Sequence, residues 1–316
     1  MYDLIAVGEL LIDIYQQLDG SFIYKAGGAP CNALVMATNM GCKTAFIGKV
    51  GNDSFGKFLI KTIGSKGIDT KGVILSDDYN TTLAFVTLDE KNDRSFIFYR
   101  TQTADVMLEK ADIDYSIINQ TKVLCFGSLS FTTDPTKSTT LDILETAKKH
   151  NKLIAYDVNY RPTLWKGSEE SNIKELELGF NYATILKMSE EEVYLLFKSN
   201  NYEQVAKKIF KKYTNIKLVL ISLGEEGAFF ATQDFCGYVP AFETKVVDTT
   251  GAGDAFLGCL LGQIVSESFD NISLYKLREV ILKSNAAAAL NISKVGAIES
   301  MPTKEEVNLL YQNQVS

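Results

Sequence analysis

A mainly parallel α/β sheet covered by helices on both faces, with a small β lid over one edge, is the fold class that this sequence predicts. Three observations predict it. Short apolar strand candidates recur along the chain, helical patterns of about ten residues separate most of them, and two strand-rich stretches break that rhythm. With 316 residues and 46% hydrophobic content, the chain can bury a core of this kind.

Leu4 to Val7, closed by Gly8, reads as the first strand, and a helix from about Cys31 to Met40 leads through Gly41 to a second strand at Thr44 to Gly48. Further apolar strands are expected at Val123 to Phe126, Leu153 to Tyr156, Thr184 to Lys187 and Leu218 to Ser222, with helices at Thr136 to Lys149, Ser189 to Phe197 and Tyr202 to Tyr213. The exceptions are Ile12 to Tyr24 and Gly72 to Tyr99. Within the second, Thr82 to Thr87 and Ser95 to Tyr99 flank the polar turn Asp89 to Asp93, which predicts a hairpin. Pairing of the two stretches divides the chain into a core of residues 1–11, 33–71 and 105–316 and a lid of residues 12–32 and 72–104. Such a lid excludes water from a reaction centre, although an edge insertion with packing duties alone fits the same pattern.

Net charge is −7, from 32 Lys and Arg against 39 Asp and Glu, with no long basic block, so neither nucleic acid nor an anionic membrane is an expected partner. The amino terminus lacks the cationic segment of a secretory signal, and the greasiest run, Ala255 to Val265, falls short of the ~20 residues of a membrane span. A cytoplasmic location is expected. Five scattered cysteines without a C-x-x-C pair indicate neither a disulfide framework nor a zinc site. His150, the single histidine, follows Lys148 and Lys149 where a helix carboxyl end favours cations. Any general base should therefore be a carboxylate.

Asp248 to Phe256 follows a strand-like piece at Thr244 to Val247 and precedes an apolar helix running to about Val265. Gly251, Ala252 and Gly253 thus stand at a helix start, where small residues let the backbone approach a ligand and N–H groups with the helix dipole attract an anion. A phosphoryl group in transit suits that place. Asp254, in the first helical turn, is the expected base for a hydroxyl attacking it, since phosphoryl transfer asks mainly for positioning and late proton acceptance. Spacing alone also admits a Gly-rich turn whose Asp caps the helix. Gly51 to Phe58 has P-loop spacing, but Phe58 stands where the metal-binding Ser or Thr belongs. Gly251-Ala252-Gly253 begins a dinucleotide fingerprint, but Phe256 replaces its third glycine.

Two signatures together, Gly27-Gly28-Ala29-Pro30-Cys31-Asn32-Ala33 with the following Gly48 to Gly56, and Asp248 to Phe256, resemble the ribokinase-like (PfkB-type) carbohydrate kinases across essentially the whole chain. The resemblance implies a Rossmann-like three-layer α/β/α core with a mainly parallel central sheet, a small β-sheet lid, sugar between the two, and ATP along the carboxyl-terminal side of the sheet. It implies that Gly251, Ala252 and Gly253 form an anion hole beside Asp254, and that Asp13, Gly27, Gly28 and Asn32 hold sugar hydroxyls. On the nucleotide side it implies Ser222, Gly224 and Gly227, with Asn285 as an adenine contact; alone, these residues read as a turn and a packing helix.

Where many members carry Asn-x-x-Glu for the magnesium and phosphate shell, this chain has Lys187-Met188-Ser189-Glu190. Lys187 is expected to meet a phosphate as a point charge, and Glu190 to reach Mg2+ through water. Ser189 to Glu192 also reads as a capped helix start with acidic first-turn residues. A monovalent-cation loop is implied around Asp248, Thr250, Asn291, Lys294, Gly296 and Ser300, with K+ as the candidate ion.

Asp157-Val158-Asn159-Tyr160-Arg161-Pro162-Thr163-Leu164-Trp165 follows a strand, at the carboxyl end where α/β sheets place ligands. It is similar to the D-x-N-x-R-x-x-L-W element of bacterial fructokinases and 2-keto-3-deoxygluconate kinases, and the wider pattern, with Phe98-Tyr99-Arg100, is most like the fructokinases. The implied reaction is ATP-dependent transfer of the γ-phosphoryl group to a primary hydroxyl of fructose, with Asp157, Asn159, Arg100 and Arg161 at the substrate. Two arginines would also suit a keto-acid carboxylate. A sensor of the same fold that binds without turnover is a third reading, opposed by the intact Asp254, Asp13 and Asn32. An exposed lid sheet would support a homodimer.

Overall fold

The computed structural model describes residues 1–17, 19–88, 94–265 and 272–315. Its first strand, β1 (Tyr2–Val7), is followed by β2 (Leu11–Gln16), β3 (Phe22–Gly27), α1 (Ala29–Asn39), β4 (Thr44–Gly51), α2 (Ser54–Ser65) and β5 (Asp69–Ser76). The hairpin strands β6 (Leu83–Leu88) and β7 (Arg94–Tyr99) come next; their predicted turn, Asp89 to Asp93, lies outside the described residues. Then come α3 (Ser116–Asn119), β8 (Thr121–Gly127), α4 (Thr136–Lys149), β9 (Leu153–Asp157), α5 (Glu169–Leu178), β10 (Ile185–Ser189), α6 (Glu190–Phe197), α7 (Tyr202–Lys212) and β11 (Leu218–Ser222), with the strands, α4, α6 and α7 where the spacing predicts them and α3 and α5 in addition. The chain ends with β12 (Ala228–Ala231), β13 (Cys236–Val239), α8 (Ala252–Ile264), α9 (Leu274–Ile292) and α10 (Lys304–Val315).

Nine of these strands form one sheet in the order β13-β12-β11-β10-β9-β8-β1-β4-β5, parallel except where β12 pairs with β11 and β13 with β12. Side-chain alternation divides the core between its two faces. Leu4 and Ala6 of β1 face Leu34 of α1 and Leu257 of α8, while Ile5 and Val7 face the cluster that contains Ile143 of α4 and Val205 of α7. From β1 the chain winds one way through β4 and β5, then returns to β8 and winds the other way to β11. The crevice at the carboxyl ends of β1 and β8 is therefore a topological switch point, where open α/β sheets bind ligands.

The lid is a second sheet of order β3-β2-β6-β7. Cross-strand partners run Lys25, Asp13, Ala84, Phe98 along one row and Tyr24, Ile14, Phe85, Ile97 along the next, so the two rows face opposite sides. The sequence-derived lid boundary needs correction, because β5 from Asp69 to Ser76 pairs in parallel with β4 and belongs to the main sheet. The strand-rich character of residues 72–76 comes from that edge position. Residues 28–32 likewise open α1. Thr244 to Val247 is not a strand; its backbone is held only at its end, by the Val247 amide on the Ile292 carbonyl. Among the described residues, no helix is long and apolar enough to cross a membrane.

Candidate active site

Above the carboxyl ends of β1, β8 and β9 lies a cavity of about 770 Å³, walled by the inner row of the lid and by the start of α8. Asp13 and Phe98, from that inner row, both line it. Gly27 leaves room for the Asp13 carboxylate, since a Cβ there would stand 2.1 Å from Oδ2. Gly28 turns the chain at φ 123°, and a Cβ on it would meet the Glu9 carbonyl oxygen at 2.4 Å. That turn opens α1 and brings Asn32 inward. Asn32 Nδ2 donates to Asp254 Oδ2 at 2.8 Å, joining α1 to the start of α8, while its Oδ1 is buried without a hydrogen-bond partner among the described residues.

Gly251 is the left-handed N-cap of α8, at φ 86°, and no side chain caps the first turn; the Ala252 amide turns back to the Thr249 carbonyl at 3.3 Å, which leaves the amides of Gly253 and Asp254 for an anion. Asp254 is only 9% exposed. Burial pushes its carboxyl up to about 6, with Asp157 adding to the rise and Asn32, Lys187 and Arg161 opposing it. The spacing-only alternative of a capping Asp is not what is found, because Asp254 lies inside the turn and bonds to Asn32.

Lys187 donates to both oxygens of Asp157, at 2.9 and 3.0 Å, and both side chains are buried. Burial works against the ammonium, yet Asp157 and Glu192 outweigh it and raise Lys187 above its ordinary value. Its Nζ would lie 3.0 Å from a Cβ at Gly253, a tight contact, so glycine gives the ammonium room beside the anion hole. Asp157 therefore serves first to hold Lys187. A second cavity, of about 500 Å³, shares Asn159, Arg161, Lys187 and Gly253 with the first and is also lined by Ser222. Arg161 is exposed, with a bond to the Tyr160 carbonyl at 3.4 Å.

Other expected site residues stand elsewhere. Arg100 does not line the cavity; its Nε donates to Asp105 at 2.6 Å, and its two Nη atoms reach Thr132 and the Leu129 carbonyl, pinning the end of β7 to the core. Glu190 is exposed at the start of α6 and lines neither of these cavities, whereas Glu191 and Glu192 line the second. Glu192 completes a capping box with Ser189 and also accepts from the Tyr160 amide at 2.6 Å, so the helix-cap reading of this acidic run is the one found. Asn285 donates to the Val239 and Pro240 carbonyls and tethers the end of β13. Gly227 lets the turn after β11 pack on Val239, and neither it nor Gly224 lines either cavity.

In the loop beside the anion hole, Asp248 accepts from the amides of Thr250 at 2.8 Å and Gly296 at 2.9 Å. Asn291 donates to Ser300 at 2.6 Å, the Ser300 hydroxyl donates to the carbonyl of Gly296, and Asn291 Oδ1 is buried without a partner among the described residues. An orphaned oxygen among carbonyls fits a monovalent cation. The Lys294 ammonium pairs with Glu306, so only its backbone oxygen could join that oxygen set. Sequence reasoning missed Glu9, which lines the main cavity; its place just after the first strand, where α/β sheets put ligands, was the available signal.

Residues 1–304 match the sequence model of the pfkB family carbohydrate kinases. Fructokinase-1 of Oryza sativa subsp. japonica is 37% identical over 317 residues, covering 98% of this chain and 97% of that protein. Among solved structures, a fructokinase from Xylella fastidiosa with bound ATP superposes with a TM-score of 0.92 at 29% identity over 99% of both chains. A double-mutant fructokinase from Vibrio cholerae O395, with fructose, ADP and a potassium ion bound, gives 0.88 at 26% identity over 98% of both chains.

The raised carboxyl of Asp254 has a cost to folding. Stability from a raised folded-state value is present below the unfolded value of 3.8 and is lost as pH rises through about 6. Asp254→Asn removes that loss, so the variant should exceed the wild type at pH 8 by on the order of 2–3 kcal/mol, with the gap shrinking toward pH 4. Urea denaturation at both pH values checks this, and a variant no more stable than wild type at pH 8 contradicts it.

Proposed function

The chain belongs to the pfkB family of carbohydrate kinases, and from that premise we propose that it phosphorylates fructose with ATP at a primary hydroxyl, using Asp254 as general base. The observation that carries the reading is the bond between Asn32 and Asp254, which puts the base in one cavity with Asp13 and Gly28 and directly beside an uncapped helix start.

The acceptor hydroxyl sits between Asp13, Asn32 and Asp254, gives its proton to Asp254 and attacks the terminal phosphorus while ADP leaves. Charge on the moving phosphoryl oxygens is met by the amides at the start of α8 and by Lys187, held in place by Asp157. ATP phosphates would enter by the second cavity, past Asn159, Arg161 and Ser222. Magnesium, when bound, would supply charge neutralisation on those phosphates; it would be held chiefly by them and by water, with Glu191 of α6, which lines that cavity, as an outer carboxylate. The Asp248 loop and Asn291 Oδ1 would take potassium beside the anion hole. The reaction suits an ATP-supplied compartment such as the cytoplasm.

The keto-acid alternative wants a bidentate arginine on its carboxylate; Arg161 remains in the cavity to supply one, while Arg100 is held by Asp105. The likeness to fructokinases is what favours fructose as the acceptor.

Coupled ADP-release assays with fructose, 2-keto-3-deoxygluconate, ribose and glucose test the substrate; faster turnover with the keto acid than with fructose contradicts the reading. Asp254→Ala should lower kcat about 10²- to 10⁴-fold with ATP binding retained, and near-normal turnover in that variant removes Asp254 from the mechanism. Replacing potassium by tetramethylammonium should lower kcat/KM, and indifference to the exchange excludes the cation site. On the outer lid face Phe22, Tyr24, Ile97 and Tyr99 are exposed, and we expect a homodimer there. Phe22→Asp with Tyr99→Asp should convert a dimer to a monomer in light scattering, and a monomeric wild type contradicts the expectation.

A further inference from the structure

Glu9 has no role in the steps above, yet it stands at the carboxyl end of the central strand β1 and lines the cavity with Asp13, Gly28, Asn32 and Asp254. It is 4% exposed. Oε1 accepts from the Ala29 amide at 3.1 Å, in the first turn of α1, which fixes the side chain against the segment that carries Gly28 and Asn32. Oε2 is buried and has no hydrogen-bond partner among the described residues. A buried carboxylate oxygen left in that state is costly, and such groups persist where a ligand or water completes them.

We propose that Glu9 binds the acceptor sugar directly, with Oε2 taking a hydrogen bond from one sugar hydroxyl. The inference rests on the sugar-kinase reading and adds to it a residue that selects the acceptor.

The surroundings support a role beyond packing. Burial pushes the Glu9 carboxyl up to about 7, Arg100 at the end of β7 pulls it down, and Asp105 in the turn that follows pushes it up. Arg100 is already shared among Asp105, Thr132 and the Leu129 carbonyl, so it does not pair with Glu9. Cys31 on α1 and Cys125 on β8 feel the Glu9 charge, and their thiols are pushed up chiefly by burial, leaving them neutral. The Glu9 and Ala29 amides also draw the carboxyl down, but among the described residues no donor on these elements is within hydrogen-bond geometry of Oε2. Its neighbour in function, Asn32 Oδ1, is likewise buried and unpaired in the same cavity. Two orphan acceptors on one wall match a ligand rich in hydroxyl donors.

Glu9→Gln keeps the acceptor that meets the Ala29 amide and replaces the orphan oxygen by an N–H donor. Measured with whichever acceptor of the panel turns over fastest, the variant should raise the sugar KM roughly ten- to a hundredfold, the range for a lost charge-assisted hydrogen bond, with the KM for ATP unchanged within about twofold. A series of monodeoxy forms of that sugar identifies the hydroxyl: one analogue should lose its penalty in the variant while the others keep theirs. An unchanged sugar KM, equal rises for sugar and ATP, or penalties that add for every analogue overturn the contact while leaving the kinase reading in place. Absence of wild-type turnover with every acceptor overturns the kinase reading, and this inference with it.

Discussion

Burial of one carboxylate is the constraint on which the rest of the site depends. Asp254 sits in the first turn of α8, where a fully solvated carboxylate would be a poor base, and removal from water is what lifts it to about 6. Asn32, from α1, supplies an N–H that favours the anion, so desolvation and hydrogen bonding act in opposite directions on the same carboxylate. The balance leaves a group that is ionised at neutral pH and able to accept a proton.

The fold makes that burial affordable by where it puts the second charge. Lys187 enters from β10 beneath the anion hole and is neutralised by Asp157 on the neighbouring strand, a register fixed by the parallel pairing of Lys187 with Asp157. A buried ion pair is weak evidence for stability but strong evidence for placement, since removing either partner strands the other in a dry site. Here it sets an ammonium beside Gly253 without joining Asp254 in a direct ion pair. The lid completes the enclosure through an alternation of two residues per repeat: the row that includes Asp13 and Phe98 faces the cavity, and the row with Tyr24 and Ile97 faces outward.

Much of this was legible in the sequence because local chemistry and tertiary position coincide there. Gly28 and Gly251 occupy left-handed backbone, and Asp254 and Asn32 follow those turns at fixed helical offsets, so small-residue motifs revealed both halves of the site. The α/β rhythm likewise gave most strands of the main sheet. What was not legible depends on pairing rather than on pattern. Residues 72–76 look like lid strand but pair with β4, and Thr244 to Val247 looks like a strand but has no sheet partner. Arg100 and Asn285 carry polar groups suited to ligands, yet Asp105 and the Val239 and Pro240 carbonyls claim them, partners that sequence spacing does not disclose. In the acidic run after Ser189, the capping box used Glu192 and left Glu190 outside, as helix geometry requires of the third helical residue.

The titration of Asp254 itself tests this account most directly. With carboxyl carbons isotopically labelled and the Asp254 resonance assigned by its absence in Asp254→Asn, carbon NMR of the ligand-free protein should follow a midpoint near 6. A midpoint at or below the ordinary aspartate value of about 3.9 would mean that the carboxylate is solvated and the buried-base account is wrong.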